Sequence, residues 1–222
     1  MFQGIHFLTK NMTQERKVTN WDKYLGSPIY PYGVFKGYKK FINQIKKDWP
    51  EQGAKVLELG SGSGRISFWI SKILPVSEIV LVDYNEKLLE KSRKFFSDKN
   101  IKVRFIKKDI RQIDLNEKFN LIHNSGVLEH FLIQEQEQII KVHKKHLKEG
   151  GWIITYVPTP NLSYKFWRAL EEMFGVWRFH DEKPLKLSEL SNLFEKGGFK
   201  VLDSNKVWKA YLTEIGLLLN LK

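Results

Sequence analysis

Cysteine is absent from all 222 residues. That excludes disulfides, a thiolate nucleophile and zinc–sulfur centres, and it suits a reducing compartment. Long apolar runs are absent too. The longest late one, IGLLLNL, is far short of the ~20 residues a membrane-spanning helix needs. The first dozen residues, MFQGIHFLTKNM, lack the charged start and apolar core of a secretory signal. The expectation is a soluble cytoplasmic protein. There is no internal repeat and no low-complexity tract. No metal site is expected either: sulfur ligands are missing, and no carboxylates converge on the histidines in sequence.

What the chain does have is positive charge. Its formal net charge is +12. Such an excess attracts phosphates and admits a nucleic-acid partner. The lysines, however, are spread over every predicted helix rather than gathered in one stretch, so charge alone does not select that partner.

The length suits a single domain able to bury most of its apolar surface. Residues 33–49, GVFKGYKKFINQIKKDW, place Phe35, Tyr38, Phe41, Ile42 and Ile45 on one helical face. A regular alternation follows. KVLELG, EIVLVD, VRFIKKD, FNLIHNS and WIITYVP read as strands. RISFWISKIL, NEKLLEKSRKFFSDK and the segment 134–147 read as helices, with Glu149-Gly150-Gly151 ending the last of them. Strands alternating with helices imply parallel pairing and right-handed crossovers.

After Pro158 the rhythm breaks. Residues 159–185 form an aromatic-rich insertion. A helix then follows, LSELSNLFEKGG, started by Ser188 or Lys186, and a final pair of strands lies around FKVLDS and 207–219. The expected fold is α/β: a doubly wound, Rossmann-like, seven-stranded, mostly parallel sheet with a C-terminal antiparallel hairpin and helices on both faces. Residues 1–222 form one domain on this reading, divided into a polar start with the first helix (1–50), the alternating core (51–158), the insertion (159–185) and a C-terminal helix and strands (186–222).

Ligands of open α/β sheets bind beyond the carboxyl ends of the strands, where strand order reverses. The turn after the first strand, VLELGSGSG, therefore lies at the site. A dinucleotide fingerprint G-x-G-x-x-G needs its third glycine where Arg65 stands; here it comes one residue early, at Gly64. Glu58, two residues before the first glycine, would repel a pyrophosphate and welcome a cationic amino group. No Gly-Lys-Ser/Thr follows, which excludes a nucleoside-triphosphate loop.

The pattern E-x-G-x-G-x-G, carried by Glu58, Gly60, Gly62 and Gly64, resembles motif I of class I S-adenosylmethionine-dependent methyltransferases. Four further matches follow in order, and the resemblance covers roughly residues 56–201. It implies S-adenosyl-L-methionine as cofactor and S-adenosyl-L-homocysteine as product, with 1–50 as an N-terminal cap and helix, 51–158 as the cofactor-binding core and 159–185 as a lid-like insertion. Asp83, ending the second strand, would accept from both ribose hydroxyls, with Tyr84 or Asn85 flanking the adenine. Asp109 would accept from the adenine amine while Ile110 packs on the ring. The turn HNSGVLEHF is similar to the small-molecule branch of the family, with Asn124 touching the methionine portion through its backbone. The fifth match is LKEGGWIITYVP.

Transfer from a sulfonium is an in-line displacement, so alignment supplies much of the acceleration and a base is needed only for a protonated acceptor. Glu129 and His130 are the candidate catalytic residues; a helix start and ordinary packing are the competing roles. His180 and Asp181 form a second pair. NWDKYLGSPIYPY resembles the family's cap, which makes Tyr24, Tyr30 and Tyr32 candidates for acceptor or methionine contact. The insertion offers Phe166, Trp167, Leu170, Phe174 and Trp177 as an apolar lining.

No Asp/Asn-Pro-Pro-Tyr/Phe turn follows the fourth strand, where Asn124-Ser125-Gly126-Val127 stands, and no cysteine is present for attack at a cytosine carbon. These absences favour an O, N or C atom of a small molecule as acceptor. An RNA methyltransferase and a cofactor-binding regulatory protein without transfer are the alternatives. A nicotinamide dehydrogenase is disfavoured by Arg65 and Glu58.

Overall fold

The computed structural model describes residues 19–22, 32–209 and 212–222. Helix α1 (Tyr32–Ile45) leads into β1 (Lys55–Leu59), α2 (Arg65–Ile70), β2 (Glu78–Asp83), α3 (Glu86–Phe96), β3 (Val103–Lys107) and β4 (Phe119–Ser125). Then come α4 (Ile133–His146), β5 (Leu147–Pro158), α5 (Leu162–Met173), α6 (Leu187–Lys196), β6 (Phe199–Lys209) and β7 (Leu212–Leu221). The seven strands form one sheet in the order β3-β2-β1-β4-β5-β7-β6. β1 to β5 are parallel, and β7 runs antiparallel between β5 and β6. The chain moves outward from β1 to β3 and then crosses back to β4. The reversal therefore lies between the carboxyl ends of β1 and β4.

Strand alternation divides the core between two faces. Leu57, Leu59 and Ile122 pack with α4 and α6, whereas Val56, Leu121 and Ile154 pack with Tyr38, Phe41 and Ile42 of α1. On α1 the apolar positions Val34, Tyr38, Phe41, Ile42 and Ile45 recur at three- and four-residue spacing and are all buried. Phe35, expected on that stripe, sits at its edge against the Trp69 ring. α2 is shorter than its apolar pattern suggested, and hydrogen-bonded turns carry the chain from Ile70 to Leu74.

A second boundary also differs from the sequence reading. Glu149-Gly150-Gly151 does not end α4, which stops at His146, but lies inside β5. Phe119 pairs with Leu147 and Leu121 with Trp152, so a bulge absorbs three extra residues and Gly150 takes φ 69°. At α6 the start falls at Lys186, whose backbone N–H is accepted by the Glu189 carboxylate at 2.8 Å.

The glycine turn is specified by space as well as by angle. Gly64 precedes α2 at φ 67°, and a Cβ there would lie 2.5 Å from Leu81 Cδ1 and 2.9 Å from Phe96. Gly60, also at φ 67°, leaves 2.6 Å to Val127 Cγ2. Gly64→Ala combines left-handed strain with overpacking and should cost about 2–4 kcal/mol of stability. Urea unfolding checks this; a midpoint within error of the native one would mean the turn relaxes freely.

Candidate active site

At the carboxyl end of β1 the backbone folds back on β2. Gly60 N–H and Ser61 N–H both donate to the Val82 carbonyl, at 2.9 and 3.0 Å. Gly62 N–H donates to Asp83 Oδ2 at 2.8 Å, Asn85 N–H donates to Asp83 Oδ1 at 2.9 Å, and the Ser92 hydroxyl holds the Gly62 carbonyl at 2.7 Å. Asp83 is buried, and burial raises its pKa against these backbone hydrogen bonds. A buried carboxylate is thus fixed beside three positive-φ glycines. Among the described residues, nothing beyond its chain neighbours would lie within 4 Å of a Cβ at Gly62. The motif residues Gly60, Gly62, Gly64 and Asp83 meet in one turn. Tyr84, next along, is half exposed at the surface.

Glu58 serves a different neighbourhood. It lies on the α1 face of the sheet, where Ser67 Oγ of α2 donates to Glu58 Oε2 at 2.7 Å and pairs with His123 Nε2 at 2.8 Å. His123 Nδ1 stands 3.3 Å from the Tyr38 hydroxyl, which donates to the Asn124 carbonyl at 3.0 Å. Burial pushes Glu58 up to about 8 and His123 down to about 3. No local pattern pointed to this chain of bonds, because its members come from β1, α2, β4 and α1.

Asn124 turns its side chain the other way, donating to His143 Nε2 at 3.0 Å and accepting from Thr155 Oγ1 at 2.7 Å. His143 Nδ1 in turn faces the Ile139 carbonyl at 2.7 Å, and burial lowers its pKa to about 4. Asn124 can therefore meet a ligand only through its backbone. Asp109 caps the turn at Ile110–Gln112 and holds Arg111 Nε with both oxygens at 3.0 Å, keeping its carboxyl below the usual range. Ile110 is buried against the core.

Beyond β4 a second cluster forms. The turn Leu128–His130 buries both Glu129 and His130. His130 Nδ1 stands 2.8 Å from Asp181 Oδ1. Asp181 also accepts from the Thr19 hydroxyl. Despite burial, these hydrogen bonds hold the Asp181 carboxyl well below the usual range, so it is ionised and His130 Nδ1 carries the proton. The Asp181 bond and the nearby Glu129 and Glu182 outweigh burial and raise His130. Burial pushes Glu129 up to about 8. Trp21 meets the His130 ring edge-on at 4.9 Å, and Phe179 flanks both.

Glu129, His130 and Glu182 each bring one ligand atom to within 4.8 Å of the others. This departs from the sequence reading, in which no carboxylates converged on a histidine. It also separates the expected His180–Asp181 pair, since Asp181 turns inward to His130 while His180 is exposed. The adjacent acids in HDEK were the available signal, but their target lies 51 residues upstream.

In the insertion, Trp177 is buried and its indole N–H donates to the Phe179 carbonyl at 2.8 Å. Trp167 is half buried on α5 against Phe166. Phe166 and Phe174 are largely exposed, so they do not line a closed pocket. Tyr24 and Tyr30 lie outside the described residues, as does the side chain of Tyr32, which opens α1. No described helix is long and apolar enough to cross a membrane.

Comparison with known proteins adds to this geometry. Residues 56–151 match a family profile described as a methyltransferase domain. The chain is 28% identical over 120 residues to release factor glutamine methyltransferase of Flavobacterium psychrophilum, covering 54% of this chain and 40% of that protein. It is 26% identical over 132 residues to ribosomal RNA small subunit methyltransferase C of Haemophilus influenzae, covering 56% and 40%. The chain thus spans less than half the length of these two curated relatives. Among solved structures, magnesium protoporphyrin IX methyltransferase from Synechocystis PCC 6803 with bound SAH superposes with a TM-score of 0.69 at 14% identity, covering 90% of this chain and 91% of that one.

Proposed function

We propose, for a chain that belongs to the class I S-adenosylmethionine-dependent methyltransferases, that it transfers the methyl group of S-adenosyl-L-methionine to an O, N or C atom of a small molecule. One observation carries this reading: the buried Asp83 carboxylate is locked to Gly62 N–H beside the glycine turn, at the crevice where strand order reverses. Asp83 would hold the ribose hydroxyls. Gly60, Gly62 and Gly64 give the backbone approach, and Tyr84, Asp109 and Ile110 would frame the adenine. Glu58 acts from behind the turn through Ser67, and the Asn124 backbone borders the methionine portion. The cofactor supplies an activated methyl on a positively charged sulfur; the protein supplies alignment, worth roughly 7–11 kcal/mol in a well-oriented reaction.

Glu129 and His130 are the acceptor-side residues. They follow β4 directly, and Asp181 fixes the imidazole so that its chemistry runs through Nε2. Tyr24, Tyr32, Trp167 and His180 remain candidates for acceptor contact from the cap and the insertion. A small acceptor is supported by the turn Asn124-Ser125-Gly126-Val127, which lacks the paired prolines of base-amino methylation. The relatives' names include both RNA and protein acceptors, so the acceptor class is the part to test.

The test uses cofactor with a labelled methyl group, incubated with the protein and a cell extract that is then fractionated. Label in the small-molecule fraction is expected. His130→Ala should cut that labelling at least about tenfold while leaving S-adenosylhomocysteine affinity unchanged. Label in RNA would replace the small-molecule reading, and no label despite tight cofactor binding would favour a regulatory protein.

A further inference from the structure

The acceptor-side cluster carries a feature that methyl transfer does not require. One atom each from Glu129, His130 and Glu182 gather within 4.8 Å of one another, and all three side chains are buried. Glu129 is only 1% exposed, yet its Oε2 has no hydrogen-bond partner among the described residues. Buried carboxylates are ordinarily satisfied by a pairing group or a metal ion.

The donor set points to the metal. A carboxylate that takes the Nδ1 proton of a histidine and turns Nε2 toward the centre is the usual support of a metal-ligating imidazole. Asp181 stands 2.8 Å from His130 Nδ1, which leaves Nε2 as the ring atom able to ligate an ion. Two carboxylates with one imidazole suit a borderline divalent ion, and their two negative charges offset its charge. Bonds of about 2.0–2.2 Å place donors on one ion roughly 3.0–4.3 Å apart. A set gathered within 4.8 Å reaches that spacing by modest side-chain rotation. Glu129 and His130 are adjacent on the turn after β4, while Glu182 follows Asp181 on the segment closing over it, so the three arrive from two directions.

We propose that Glu129, His130 and Glu182 bind one divalent transition-metal ion. Resting on the reading that the acceptor meets the donor here, the ion holds an oxygen of the acceptor beside the methyl group. The acceptor is then a molecule with a metal-binding oxygen, and Glu129 and His130 act on it through the ion.

The full chain, stripped with chelator, is titrated with Mn²⁺ alone, following the free-ion signal by electron paramagnetic resonance and the heat by calorimetry. One Mn²⁺ per chain, displaced by Zn²⁺, is expected. Glu129→Gln and Glu182→Gln should each weaken binding at least about tenfold. Glu137→Gln, an exposed α4 position, should not change it. Nitrogen coupling from one imidazole should appear in the bound Mn²⁺ spectrum and vanish in His130→Ala. No saturable binding up to millimolar ion, equal binding by Glu129→Gln and Glu182→Gln, or bound Mn²⁺ without nitrogen coupling would each overturn the proposal. S-adenosylhomocysteine affinity measured on the same samples separates the two ideas: its absence removes the methyl-transfer reading, whatever the ion does.

Discussion

Asp83→Ala is expected to bind S-adenosylhomocysteine roughly ten- to a hundredfold more weakly than the native chain, a loss of about 1–3 kcal/mol. Two effects add. The substitution removes the acceptor for two ribose hydroxyls, and it releases Gly62 N–H and Asn85 N–H, which Asp83 now holds at 2.8 and 2.9 Å. The second effect loosens the glycine turn itself. Asp83→Asn separates the contributions, because the amide keeps one acceptor and loses the charge. It should fall between native and Ala. Calorimetry with S-adenosylhomocysteine checks both variants, with a thermal melt to confirm that each is folded. Equal affinity in all three would put the nucleoside elsewhere.

Glu58→Gln should change how stability depends on pH. Burial pushes the folded-state pKa of Glu58 up to about 8, against an unfolded value near 4.5. An acid whose pKa is raised on folding keeps more protons in the native state between those values. Its favourable contribution is therefore complete below about 4.5 and is lost as pH rises toward 8. Gln has no such proton to lose. The native chain should fall relative to Glu58→Gln by on the order of 3 kcal/mol between pH 5 and 8, with the curves running parallel above that. Urea unfolding at four or five pH values measures it. Parallel curves across the whole range would mean that Glu58 ionises normally within its pairing to Ser67 and His123.

These two residues also mark how far the sequence could be read. The place of Asp83 beside the glycine turn was legible, because it is the last residue of the second strand in a fold whose alternation of strands and helices was plain. The parallel pairing of β1 to β5 followed from the same rhythm, and the C-terminal antiparallel pair was part of the expected fold, but no periodicity encodes the order in which the strands lie. Glu58 was legible as an unusual acid but not in its setting, because Ser67, His123 and, behind His123, Tyr38 come from three other elements. The Glu149-Gly150-Gly151 misreading has a local cause. A glycine pair after a lysine-rich helix is a normal terminator, and only pairing against Phe119 and Leu121 reveals a bulge instead.

Glu129 and His130 stood out as neighbours after the fourth strand. Their partners did not, since nothing in HDEK says which acid turns inward. Asp181 does so because the segment after Trp177 packs Phe179 against His130 and Trp21, placing the next carboxylate on Nδ1. That arrangement comes from tertiary packing, which no periodicity encodes.

A crystal structure with S-adenosylhomocysteine bound would locate the nucleoside outright. Ribose hydroxyls are expected on the Asp83 carboxylate, the nucleoside over Gly60–Gly64 and the sulfur facing the side of β4 that carries Glu129 and His130. The amino ends of β2 and β3, opposite the glycine turn, hold a cavity of about 390 Å³ lined by Lys72, Lys99 and Lys102. A nucleoside found there, or one bound at the glycine turn with its sulfur directed away from Glu129 and His130, would contradict that placement.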